Sequence, residues 1–283
     1  MSRRLLPLLC CLCLAVPARA ETLNVGGTDI AYTVPEGYVI GDGPRYAELI
    51  EFASRAQPPD IRILSIYATE KDNAAFLAGT GALDNFLIIS VNRQLEKQNL
   101  RPADFAQLRD AVATVQNQKK SEVQSEAERL IDSASNGNLG LGGLEFLGCS
   151  DDGPARFSCL TVLTQIDRSE GKEYSSRQAA LSTWLLTQGK LLQINQYENL
   201  DQEMDLFEQA AAFQTRARHV VDELNIPPDT AGSGLFQDFP GRLVLVAVLG
   251  GLIGGLAAVI RKKEDSRRLT DRFPFFALLQ VDF

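Results

Sequence analysis

The sequence is poor in the side chains on which many catalytic and metal sites depend. Its 283 residues contain one histidine, His219, together with one tryptophan and two methionines. Catalytic triads and histidine-rich metal sites need a histidine held beside a nucleophile or beside further ligands. His219 lies beside Arg216 and Arg218, roughly opposite the apolar face of the helix predicted around it. We therefore expect His219 in solvent, with no catalytic residue, metal ligand or cofactor-binding residue recognisable in the sequence.

Two kinds of ligand-binding loop are also missing. The glycine-rich stretch NGNLGLGG, residues 136–143, lacks the Gly-Lys-Ser/Thr ending of a phosphate-binding loop, so we interpret it as a helix end and linker. The carboxylates Asp167, Glu170 and Glu173 cluster around a predicted turn, RSEGKE, but their spacing does not match a calcium loop. They leave open one alternative function, a membrane-anchored hydrolase that uses carboxylates on an envelope substrate.

The first twenty residues have the pattern of a secretory signal. Arg3 and Arg4 precede an apolar run over residues 5–16, and Ala18-Arg19-Ala20 fits a small-x-small cleavage site. We predict that residues 1–20 are a signal peptide that is removed after Ala20. The rest of the chain is then exported until another segment stops its transfer.

A long run without charge occupies residues 243–260. Eighteen helical residues reach about 27 Å, close to the hydrocarbon core of about 30 Å that a bilayer presents. Arg261, Lys262 and Lys263 follow directly, whereas Arg242 is the basic residue close before the run. Positive charge favours the cytoplasmic side. We therefore predict one transmembrane helix at 243–260 in the inner (cell) membrane, with residues 261–283 as a cytoplasmic tail.

The predicted span carries small residues four apart on one face. The sequence repeats Gly-x-x-x-Gly twice, and such spacing lets two membrane helices approach closely. Glycine is also common in spans that do not pair, so self-association, a partner helix and no pairing at all stay open. The candidate helix-packing residues are Gly250, Gly251, Gly254 and Gly255.

The exported part is large enough for a hydrophobic core and strongly acidic. Residues 21–241 contain 18 Lys and Arg against 32 Asp and Glu, a net charge of −14. Such a surface repels nucleic acid, which we exclude as a partner. We divide this part into an exported domain at 21–225 and a linker at 226–242 that contains three Gly and three Pro.

Beyond the signal, two cysteines remain, Cys149 and Cys159. An even number of cysteines in an exported chain predicts a disulfide. They lie on either side of SDDGPA, residues 150–155, which separates two apolar runs and so predicts a β-hairpin. We expect the bond to cross this hairpin.

The apolar spacing predicts alternating hairpins and helices. Hairpin turns are predicted at Gly26-Gly27 and at Gln188-Gly189, and a helix is predicted after Pro44. Residues 102–133 form either one long helix or two, and Asp201 is predicted to cap a last helix. This order is typical of an α+β fold with a largely antiparallel sheet and packed helices, followed here by a single C-terminal transmembrane helix.

Three segments resemble secreted domains of the PsbP/Mog1-like type. They are VPEGYVIG, IRILSIYATE and GKLLQINQYENLDQEMDLFEQ, and the similarity lies in their apolar positions and turns across most of residues 21–225. The resemblance implies a partner-binding module without catalytic residues, and it carries no site residue over to this chain.

These observations together predict a membrane-anchored exported binding or accessory module of the bacterial envelope. We expect it to contact the inner membrane through residues 243–260 and to bind an envelope protein or a second copy of itself. The sequence does not decide between these partners.

Overall fold

The computed structural model describes residues 20–169 and 172–228. The described part contains nine strands and five helices, which confirms the predicted α+β class. In chain order they are β1 (Ala20–Val25), β2 (Thr28–Thr33), β3 (Tyr38–Ile40), α1 (Pro44–Ala56), β4 (Ile61–Thr69), α2 (Glu70–Ala78), β5 (Asn85–Asn92), α3 (Pro102–Gln118), α4 (Lys120–Ser135), β6 (Leu139–Asp151), β7 (Arg156–Ser169), β8 (Lys172–Thr187), β9 (Lys190–Leu200) and α5 (Leu206–Glu223).

Seven of the strands form one antiparallel sheet in the order β3-β4-β5-β9-β8-β7-β6, and β1 pairs with β2 as a separate hairpin. Helices α1, α3 and α4 pack on one face of the sheet, where they share a core with the sheet's aromatic residues. The β1–β2 hairpin and α5 cover the opposite face. The domain therefore has three layers, with the large sheet in the middle.

The central strands are buried on both faces. Every residue of β5 after Asn85 is buried, and so are residues 190–197 of β9. A strand that is covered on both sides does not alternate between apolar and polar positions. Strand β5 is such a covered central strand, whereas the middle of β4 is only partly buried.

The predicted N-terminal hairpin is present. Gly26 and Gly27 both have positive φ, as a two-residue hairpin turn requires. The turn packs against residues after β5, because the Gly26 amide donates to the carboxylate of Glu96, which also pairs with Arg62. Partial burial of Glu96 opposes ionisation, but these hydrogen bonds and the charge of Arg62 hold its pKa below the usual range.

The stretch at 102–133 forms two helices. The chain changes direction at Lys119, whose φ of −122° and ψ of 26° do not belong to an α-helix. The polar middle of the stretch lies around this break. Helix α3 begins where Asp104 accepts hydrogen bonds from the amide and the guanidinium of Arg101, and these bonds lower the pKa of Asp104.

Two details of the prediction are wrong. The glycine-rich stretch is a linker only at residues 136–138, because β6 begins at Leu139 and pairs with β7 from that point. The N-cap of the last helix is Asp205, whose carboxylate accepts from the Glu208 amide at 2.9 Å. Asp201 instead accepts from the Glu203 amide in the turn before the helix. The short elements β3 and α2 were not predicted.

Several predictions lie outside the described residues. These are the signal peptide apart from Ala20, the end of the linker, the span at 243–260 with its four glycines, and the tail at 261–283. Within residues 20–169 and 172–228, no helix combines the length and the apolar character needed to cross a membrane.

The two turn glycines provide a matched pair of variants. A Cβ at Gly26 would overlap the carbonyl oxygen of Glu96, whereas a Cβ at Gly27 meets nothing within 4 Å. We expect Gly26→Ala to lower the free energy of unfolding by about 3 kcal/mol and Gly27→Ala by about 1 kcal/mol, because the second change adds only a strained φ. Urea unfolding measures both, and equal losses would show that the close approach to Glu96 does not matter.

Candidate functional site

His219 lies on the outer surface of α5, as predicted. Its side chain is exposed, and its Nε2 atom lies 3.2 Å from Glu223 Oε1 one helical turn further on. Within the described residues, no serine, threonine or cysteine side chain forms a hydrogen bond with it. The position supports a solvated surface residue.

The carboxylates considered for a hydrolase do not converge. Asp167 lies in β7 opposite Tyr174, and Glu173 lies in β8 opposite Arg168. Residues directly opposite each other share a face of the sheet, and successive residues point to opposite faces. Asp167 and Glu173 therefore project to different sides. Glu170 lies outside the described residues. The predicted turn RSEGKE is shorter than expected, because β7 extends to Ser169 and β8 begins at Lys172.

The adjacent carboxylates Asp151 and Asp152, in the turn between β6 and β7, make structural contacts. Asp151 Oδ2 lies 2.6 Å from Arg109 Nη1, and Asp152 accepts a hydrogen bond of 2.7 Å from the Ser158 hydroxyl. Across residues 20–169 and 172–228, no three His, Cys, Asp or Glu side chains are grouped closely enough to hold a metal ion.

The predicted disulfide between Cys149 and Cys159 is confirmed. The two residues lie directly opposite each other on β6 and β7, with an S–S distance of 2.08 Å. Strand β6 is the edge of the sheet and is interrupted by irregular register near Gly143 and Gly148. The bond therefore ties an irregular, glycine-rich edge strand to its neighbour.

The exposed apolar side chains at one end of the domain are the more informative surface feature. Four large apolar residues in the described part are between 45% and 65% exposed: Leu77, Tyr174, Met204 and Phe207. The Gln202 side chain donates to the Ser175 carbonyl, which holds the turn before α5 against the start of β8. Met204 and Phe207 therefore lie near the start of β8, and we name these two residues the distal surface. Tyr174 lies at the same end of the domain but projects from the other face of the sheet, because Ala180 and Trp184, which alternate in step with it, face α1, α3 and α4.

The distal surface lies at the start of α5, beside a projecting pair of strands. The pairing of β8 with β9 stops at Arg177, so residues 172–176 pair with β7 alone and residues 172–175 are exposed. Tyr174 stands on this two-stranded projection. Met204 and Phe207 flank the N-cap of α5 on the other side of the Gln202 contact.

The apolar spacing after Asp201 predicts a helix with Met204 and Phe207 on its apolar face, and the structure contradicts this. The helix begins only at Leu206, so Met204 lies in the preceding turn. The buried stripe of α5 runs through Ala210, Phe213, Ala217 and Val221. Phe207 lies about 100° around the helix from Leu206, which is the residue that continues this stripe. Only the packing of the helix on the sheet distinguishes these two positions.

The distal surface has an acidic rim. The segment DQEMDLFE, residues 201–208, contains four carboxylates and no basic residue. Two of the carboxylates accept backbone amide hydrogen bonds in the turn and at the helix cap, which keeps them in place beside the apolar side chains. An apolar centre with a negative border favours a partner of the opposite charge.

The distal surface is remote from the point where the chain leaves the domain. Helix α5 has 18 residues, which corresponds to a length of about 27 Å. At its other end the Leu224 carbonyl accepts from the Thr33 amide at 2.8 Å, beside the start of the linker. The two ends of this helix thus separate the exposed apolar cluster from the linker.

Comparison with known proteins adds little to this geometry. No family model and no curated protein matches the chain. Among solved structures, a variant of protein Mog1 is similar over 73% of this chain and 93% of that chain, with 15% sequence identity and a TM-score of 0.32. At that TM-score and identity we base no argument on it, and the α+β architecture rests on the strands and helices described above.

Removal of the disulfide tests its contribution to stability. We expect the double change Cys149→Ala and Cys159→Ala to lower the free energy of unfolding by about 3 kcal/mol, because the bond closes a short loop in the unfolded chain. Reduction of the unchanged protein should produce a similar loss in urea unfolding. The double variant is the control, since a reductant should leave it unaffected; an unchanged wild-type midpoint under reduction would contradict the expectation.

Proposed function

We propose that this chain is a membrane-anchored binding module of the cell envelope, and that its distal surface docks another envelope protein. The observation that supports the proposal most directly is the pair of exposed apolar side chains, Met204 and Phe207, at the start of α5 within a segment rich in carboxylates. Single exposed apolar residues are ordinary, whereas grouped ones with a polar border are typical of interaction sites.

The chemistry of the surface defines the partner. Aromatic and methionine side chains fill apolar pockets and adapt to their shape, and they are enriched at the centres of interfaces. The carboxylates of residues 201–208 surround this centre. The proposed occupant is therefore an apolar segment of another protein that is flanked by lysine or arginine.

The anchor supports the same function. The signal at 1–20, the apolar run at 243–260 and the positive charge after it favour an exported domain, a single span in the inner membrane and a cytoplasmic C-terminus. Because the linker continues from the end of α5, the distal surface lies one helix length away from it. The proposed surface thus faces the exported compartment, and the glycines of the span offer a separate contact for a helix.

The hydrolase alternative has no comparable support. Asp167 and Glu173 project to different faces of the strand pair, and an acid–base pair must act on one substrate from a shared site. We therefore do not develop it as a second candidate.

Site-specific photo-crosslinking in native membranes tests the docking surface. A photoreactive phenylalanine analogue at position 207 of the full chain is expected to capture one protein through an apolar segment with basic neighbours. Met204→Ser should weaken the capture at least tenfold, because a few central side chains supply most of the binding energy. Glu203→Lys should weaken it more at low salt than at high salt.

The matched control is the same analogue at position 77, since Leu77 of α2 is another exposed large apolar residue of the described part. Equal capture at 77 and 207 would mean that exposure alone explains the crosslinks. Capture of only a second copy of the chain would replace the partner protein with self-association.

Topology is tested independently with reporters. A reporter that is active only in the cytoplasm, fused after Phe283, should be active, and the same reporter fused after residue 228 should not. The reason is the positive charge that follows residue 260. An inactive reporter after Phe283 combined with an active one after residue 228 would reverse the orientation.

A further inference from the structure

A row of polar side chains crosses the sheet on the face that α5 covers. The Tyr38 hydroxyl donates to Asn85 Oδ1 at 2.7 Å and accepts from Gln196 Nε2 at 3.2 Å. Asn85 Nδ2 donates to Glu198 Oε2 at 3.4 Å, and Arg216 of α5 donates to Glu198 Oε1 at 2.6 Å. One connected chain of hydrogen bonds therefore links β3, β5, β9 and α5.

The strand register explains why these residues meet. Asn85 lies directly opposite Glu198, and Leu87 lies directly opposite Gln196. Gln196 and Glu198 are two residues apart on β9, so both point to the same face. On this face Leu87 belongs to the apolar cluster beneath the β1–β2 hairpin. Arg216 reaches the row from α5, which covers the neighbouring part of the same face. The polar row thus lies between the two elements that cover this face.

One atom of the row lacks its hydrogen bond. Gln196 is 2% exposed, and its Oε1 atom has no partner among the described residues. The amide is held at the Tyr38 hydroxyl by its other polar atom, so the unpaired oxygen belongs to the same site. A buried acceptor without a donor destabilises the fold, and native proteins rarely keep one without a reason.

A second observation is a buried carboxylate without a basic partner. Asp72 is 8% exposed and accepts from the Asn85 amide at 2.8 Å. The ion pairs within residues 20–169 and 172–228 do not include it, and its position in the first turn of α2 provides only the partial positive charge of a helix N-terminus. A carboxylate in this setting adds negative potential next to Asn85.

The same potential acts on the Tyr38 hydroxyl. Its pKa is raised to about 12, first by burial and then by the negative charges of Glu198, Asp72 and Glu223, while the hydrogen bond from Gln196 works in the opposite direction. The basic groups that face these carboxylates are Arg216, paired with Glu198, and His219, beside Glu223. The field at the row therefore favours an added positive charge.

We propose that the row formed by Tyr38, Gln196 and Glu198 is a binding site for an organic cation, namely a primary ammonium group. An ammonium supplies three donors and no acceptor, which matches the unpaired oxygen of Gln196 and the carboxylate of Glu198. Glu198 is partly exposed and provides the opening to solvent, while Asp72 contributes its charge from behind Asn85. The site is separate from the distal surface, so neither proposal depends on the other.

Titration of the full chain in detergent with 1,5-diaminopentane tests the site, with 1,5-pentanediol as the neutral ligand of the same shape. Calorimetry should show saturable binding of the diamine and none of the diol. Gln196→Leu and Glu198→Gln should each weaken the binding at least tenfold, the first by removing the buried acceptor and the second by removing the charge. Added salt should also weaken it.

Glu203→Gln is the matched control, because it removes one negative charge in the turn before α5, away from the row, and it should change the affinity less than twofold. Circular dichroism verifies the fold of each variant. If Gln196→Leu does not fold, the affinity of Glu198→Gln for the diamine tests the proposal alone. The proposal is overturned if the diamine does not bind, if the diol binds equally, or if Glu203→Gln weakens binding as much as Glu198→Gln does.

Discussion

Burial of the seven-stranded sheet on both faces is the constraint on which the rest of the structure depends. Its central strands expose almost no side chain, so each face needs a cover. Helices α1, α3 and α4 supply one cover, and the N-terminal hairpin and α5 supply the other. Because apolar burial is the main favourable term in folding, the positions of these covers decide which other surfaces remain free.

Helix α5 shows how the cover creates the functional surface. Its narrow buried stripe covers the sheet with small and aromatic residues. Met204 precedes the helix, and Phe207 lies about 100° around it from Leu206, so neither joins this stripe. Met204 and Phe207 are therefore left in solvent beside a projecting strand pair, with carboxylates around them. The β1–β2 hairpin covers another part of the same face. Between the hairpin and α5 a row of polar side chains remains, in which Glu198 pairs with Arg216. Both proposed sites are consequences of how this one face is covered.

Local chemistry made a large part of the fold predictable. Turns that need positive φ were identified from Gly26-Gly27 and Gln188-Gly189, and the structure has positive φ at these positions. The helix after Pro44 and the bonded cysteine pair were predicted from short-range patterns as well. The start of β6, residues 139–143, was missed because its glycines suggest a loop, and only its pairing with β7 makes it part of the strand. The distal surface was missed because Met204 and Phe207 fit a helical apolar pattern.

The sequence by itself determined the hairpin turns, the class of fold, the single disulfide and the charge of the exported part, because each depends on residues close together in the chain. It also carries the prediction of a signal and a span, which lie outside the described residues. Only the tertiary structure decided which apolar residues stay exposed and which polar residues meet. Tyr38, Asn85, Gln196 and Arg216 come from distant parts of the chain, and the sheet register and the packing of α5 bring them together. Such contacts depend on the whole arrangement of layers, which no short pattern encodes.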